Sequence, residues 1–109
     1  MPGGRCGLFP SLEQSREENM SEEKLLALAI QTWGEDAQTK MVLEEMSELQ
    51  KEICKRWRGK DNIEDIADEV ADVEIMLDQL KMMLGIEHQV SQHRKEKMLR
   101  LKQRLGVSE

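Results

Sequence analysis

Two groups of carboxylates, spaced as helical turns would space them, are the residues of this chain best suited to chemistry. The first lies in LEEMSEL and holds Glu44, Glu45 and Glu48. The second lies in IADEVADV and holds Glu69 and Asp72. As patterns they read EExxE and, after twenty intervening residues (49–68), ExxD. Carboxylate oxygens are hard donors. They suit Mg²⁺, which takes near-octahedral oxygen coordination and completes it with waters and substrate phosphates. Mn²⁺ accepts similar oxygen ligands and is a possible substitute. A pocket of this kind points to an enzyme acting on a nucleoside triphosphate.

Helices must do the positioning. At about 100° per residue, Glu44, Glu45 and Glu48 fall within an arc of roughly 100°. Glu69 and Asp72 are three apart, so both reach one point on a helix surface. Antiparallel packing of the two helices would set the clusters across a groove, and the short link at 59–62 favours such a hairpin. Close carboxylates repel one another unless cations sit among them. The plain alternative is a solvated acidic face, and Glu52, Asp65 and Asp68 lie near enough to blur the selection.

Hydrophobic periodicity predicts four helices and no strands. The first runs from Ser21, a good N-cap, to Trp33 and ends at Gly34. The second spans 36–58, with Val42, Met46, Leu49, Ile53 and Trp57 as its apolar stripe. The third opens at Asp61, which pairs with Glu64 as a capping-box-like start. Ile66, Val70, Val73, Leu77, Leu80 and Leu84 then make a heptad seam. Gly85 suits a C′ position. The fourth runs from Glu87 to Leu105 and stops at Gly106. Residues 21–109 read as one all-α domain. Residues 1–20, with three glycines and two prolines and no periodicity, read as an N-terminal extension, flexible or non-native.

Composition narrows the function classes. In 109 residues, 35% charge leaves a thin core, so completion of a four-helix bundle by oligomerisation is expected. A net charge of −6 lacks the basic footprint of a nucleic-acid binder. No apolar run is long enough to span a bilayer. Cys6 and Cys54 make neither a disulfide framework nor a metal motif, which fits a reduced, cytoplasmic setting. Cys54 is expected to be a small buried apolar residue, and Trp57 to pack in the core or against another subunit. His88 and His93, five apart, read as surface residues. The methionines read as filling for a core or interface.

The two acidic motifs, the helix order, Leu49 after the third Glu and the LGI turn at Leu84–Ile86 resemble the MazG-like, all-α nucleoside triphosphate pyrophosphohydrolase superfamily. The resemblance covers about residues 21–105. It implies Mg²⁺ held by Glu44, Glu45, Glu48, Glu69 and Asp72, and hydrolysis of a nucleoside triphosphate to the monophosphate and pyrophosphate, often as house-cleaning of non-standard or surplus nucleotides. It also implies a homodimer or dimer of dimers. Glu45 or Glu48 would serve as general base. Lys97 and Arg100 on the last helix would meet phosphates, with Lys55, Arg56, Arg58, Lys60 and Arg104 as further cations. Trp33 would contact a base, and Gln38 would read a base edge. Three rivals stand beside this reading: a phosphoribosyl-ATP pyrophosphohydrolase of the same superfamily, a non-catalytic helical adaptor, and a nucleotide-binding regulator that keeps the pocket without turnover.

Overall fold

The computed structural model describes residues 20–107. The predicted extension 1–20, apart from Met20, lies outside the described residues, as do residues 108 and 109. Four helices follow in order: α1 Glu22–Trp33, α2 Glu35–Trp57, α3 Ile63–Leu84 and α4 Glu87–Arg104. There is no strand among the described residues, and no helix among them is long and apolar enough to cross a membrane.

The ends of the helices follow from local chemistry. Ser21 Oγ accepts from Lys24 N at 3.2 Å and caps α1, satisfying one of the amides a helix start leaves bare. Gly34, at φ 91°, is the single residue between α1 and α2. A side chain would be strained at that dihedral. Gly85 closes α3 in the left-handed region at φ 64°, and Ile86 N returns to Lys81 O.

The start of α3 differs from the prediction. Asp61 is exposed and sits 4.0 Å from Arg56 instead of capping. Asn62 is the N-cap, and its side chain makes no bond to its own helix. It turns back to α2, where Nδ2 donates to the main-chain oxygen of Glu52 at 2.9 Å and to its Oε1 at 2.8 Å. Asn62 is buried.

α2 and α3 form an antiparallel hairpin, and α1 packs against both. Part of each predicted apolar stripe is inner, Val42 and Leu49 on α2 and Ile66, Val73 and Leu80 on α3, and the rest lies about one residue off the buried face. On α2 the inner positions are Gln38, Val42, Glu45, Leu49 and Glu52, not Met46, Ile53 and Trp57. On α3 they are Asn62, Ile66, Glu69, Val73, Met76 and Gln79, not Val70, Leu77 and Leu84. Met46, Ile53, Val70, Leu77 and Leu84 are exposed, and Trp57 is 89% exposed. Trp57 is therefore not a core residue of the chain. Cys54 is exposed as well, because it too falls off the inner stripe.

The fourth helix touches only α3. The chain thus does not close four helices around one core. Its radius of gyration is 17.5 Å, against roughly 12–13 Å for a compact domain of this length. The buried apolar core of the described residues is small: Val42, Val73 and Met76. Met76→Ala should cost about 2–5 kcal/mol, read as a lower urea midpoint. Trp57→Ala should leave the midpoint of dilute protein unchanged.

Candidate metal centre

Three carboxylates meet between α2 and α3. Glu45, Glu69 and Asp72 each offer an oxygen, and the three oxygens lie within 4.8 Å of one another. Glu45 is buried, and the other two are half-buried. The antiparallel hairpin creates the meeting: Glu45 lies on the inner stripe of α2, and Glu69 and Asp72 follow one turn apart on the inner side of α3.

This set fits a hard divalent cation. Around Mg²⁺, with metal–oxygen distances of about 2.0–2.1 Å, oxygens in adjacent and opposite positions stand roughly 3 and 4 Å apart. Donors within 4.8 Å reach that arrangement with small side-chain adjustments. The donors are all oxygen, without the thiolate or imidazole that softer ions prefer. Glu69 Oε2 is sealed from solvent and has no hydrogen-bond partner among the described residues. A buried acceptor without a donor is costly, and a cation relieves that cost.

The electrostatics point the same way. Burial, then a hydrogen bond shared with Glu45 and the negative charges of Glu45, Asp72 and Asp68, raises the Glu69 carboxyl from its ordinary 4.5 to about 7. Glu52, two turns along α2, is held below its ordinary value, first by the hydrogen bond from Asn62 and also by Lys55 at 3.3 Å.

Glu44 and Glu48, from the same motif as Glu45, are exposed and stand outside the three-oxygen cluster. Glu48 is one turn along α2 from Glu45. Lys97 and Arg100 are exposed on α4. Trp33 ends α1, 48% exposed. Gln38, expected at a base edge, is fully buried, with Nε2 donating to Gln79 Oε1 at 2.7 Å. Its position on the inner stripe leaves it no surface to offer a ligand. Of the basic run after Glu52, Lys55 pairs with Glu52 and Arg56 lies near Asp61. His88 and His93 are surface residues, as expected.

Sequence reasoning missed the Asn62–Glu52 and Gln38–Gln79 pairs. The available signal was a spacing: Gln38, Glu45 and Glu52 recur every seven residues, as positions on one helix face do.

No family model, curated protein or solved structure matches this chain.

The raised Glu69 carboxyl links pH to stability. The folded state holds this proton more tightly than the unfolded chain does. Its contribution is therefore full below about pH 4.5 and is lost as pH rises through about 7. In EDTA, the melting temperature should fall between pH 5 and 8. Mg²⁺, which binds the ionised carboxylates, should restore it at the upper end. Glu69→Gln should flatten the EDTA curve. A metal-free melting temperature that rises through this window would contradict the assignment.

Proposed function

We propose that this chain is a Mg²⁺-dependent nucleoside triphosphate pyrophosphohydrolase of the MazG-like kind, acting in the cytoplasm on non-standard or surplus nucleotides. The observation that carries the reading is the convergence of Glu45, Glu69 and Asp72, one residue from EExxE and both from ExxD, on one small volume. The order and spacing of these motifs support it.

Mg²⁺ held by these residues would supply neutralising charge for a triphosphate and would make a bound water more acidic. The chain's own groups do the rest. Glu45, Glu69 and Asp72 hold the cation. Glu45 is committed to that cluster, so Glu48, exposed and one turn away, is the better general base. It accepts the proton from the attacking water. Glu44 adds negative charge beside the cluster for a second cation. Lys97 and Arg100 offset the charge that develops on the departing pyrophosphate. Trp33 presents a half-exposed ring for stacking on the base.

A homo-oligomer completes this reading. Met46 and Ile53 on α2, and Val70 and Leu77 on α3, each lie one residue beyond an inner position. Because the helices are antiparallel, that rotation takes all four to the same side of the hairpin. The result is an exposed apolar face, and faces of this sort mark association surfaces. A second copy would cover it, as a homodimer or dimer of dimers.

Pyrophosphate release from a panel of standard and modified nucleoside triphosphates, with Mg²⁺ and with EDTA, tests the chemistry. Monophosphate and pyrophosphate should form only with the metal. Glu48→Gln should lower kcat by about 10²–10⁴-fold, the range of a lost general base. Glu45→Gln should instead raise the Mg²⁺ concentration needed for half-maximal rate. Cleavage confined to phosphoribosyl-ATP would move the protein to the rival pyrophosphohydrolase. A folded, helical protein without turnover on any of these substrates would be read as an adaptor.

A further inference from the structure

The carboxylate cluster sits between two amide pairs, each two helical turns away. On one side, Asn62 Nδ2 binds the Glu52 main-chain oxygen and Oε1. On the other, Gln38 Nε2 binds Gln79 Oε1. The spacing is the same four times. Gln38 to Glu45, Glu45 to Glu52, Asn62 to Glu69 and Asp72 to Gln79 are each seven residues. Seven residues are about 10.5 Å of helix, so the three polar layers are stacked evenly along the hairpin.

These amides are poor choices for stability alone. Gln38, Asn62 and Gln79 are buried. Gln38 Oε1 and Asn62 Oδ1 have no hydrogen-bond partner among the described residues. Apolar side chains would bury the same volume without stranding an acceptor. A polar pair in a helix interface earns its place by fixing register and rotation, because displacement leaves both members unpaired.

We propose that Asn62–Glu52 and Gln38–Gln79 are positioning pairs that set the rotation and rise of α3 on α2, and so bring Glu69 and Asp72 onto Glu45. The inference rests on the reading that those three carboxylates hold a divalent cation. Asn62 anchors the first residue of the α3 frame. The Gln pair anchors its far half. Between them, a rotation of α3 by one residue would turn Glu69 out of the interface and bring Val70 in, burying an apolar residue in place of the acid. The apolar stripe at Val70 and Leu77 makes that alternative packing available, and the amide pairs act against it.

Mn²⁺ alone is the probe, its binding followed by the EPR signal of the free ion in metal-free protein. Asn62→Ala and the double variant Gln38→Leu/Gln79→Leu should each raise the Mn²⁺ dissociation constant by about 10–100-fold, the range seen when groups that orient metal ligands are lost. The double variant should melt no lower than the wild type, so its loss of affinity is not a loss of folding. Glu52→Gln keeps an oxygen acceptor for Asn62 and should bind as the wild type does. Leu26→Ala on α1, half-buried, lowers the melting temperature and should leave affinity unchanged. Wild-type affinity in both amide variants would overturn the positioning role. Absence of Mn²⁺ binding by the wild type would overturn the metal reading itself, and this inference with it.

Discussion

Asn62 donates one amide nitrogen twice to Glu52 and so ties the first turn of α3 to the last third of α2. Everything between the two long helices is downstream of that bond. A helix is a rigid ruler, with a fixed rise and rotation per residue. With α3 pinned here and, through Gln38–Gln79, at its far half, the positions of Glu69, Asp72, Val73 and Met76 relative to α2 follow. Asn62, not Asp61, therefore stands at the start of the helix.

The hairpin interface is an uneasy mixture. It buries only a few apolar side chains, and it holds three carboxylates and a pair of glutamines on the same face. Such a seam is costly when the acids are ionised, because burial and mutual repulsion both oppose the charged form. The raised Glu69 carboxyl is the visible sign of that cost. The purely apolar stripes, meanwhile, face outward. The chain has placed carboxylates inside the hairpin and much of its hydrophobic area outside it.

How legible was this in the sequence? Element type and extent were readable, because helix periodicity and end signals are local. Ser21, Gly34, Gly85 and Gly106 marked boundaries close to those observed. That the two acidic motifs would face each other was also readable, since they sat on consecutive helices with a short link, but not that Glu45 alone of the first motif would turn inward to Glu69 and Asp72. Rotation was not. The most apolar stripe was taken as the inner face, but Met46, Ile53, Val70 and Leu77 lie one residue off it. Two competing stripes on one helix have nearly the same periodicity, and only the tertiary partner distinguishes them. The same ambiguity hid Gln38. On a helix thought to bury Met46, it read as a surface group; on the observed face it is interior. Nothing in local spacing shows that α4 would stand against α3 alone.

That last arrangement gives the molecule leverage. α4 has eighteen residues, roughly 27 Å at the usual rise, and it is joined to α3 through Gly85 and Ile86. Tilting it by about 10° at that joint carries its far end some 5 Å, by the arithmetic of a rod of that length. Lys97 and Arg100 ride on the outer half of this arm. Their distance to any anion held at the hairpin is therefore geared to a very small change at the joint, whereas Glu45, Glu69 and Asp72, clasped within the hairpin, barely feel it.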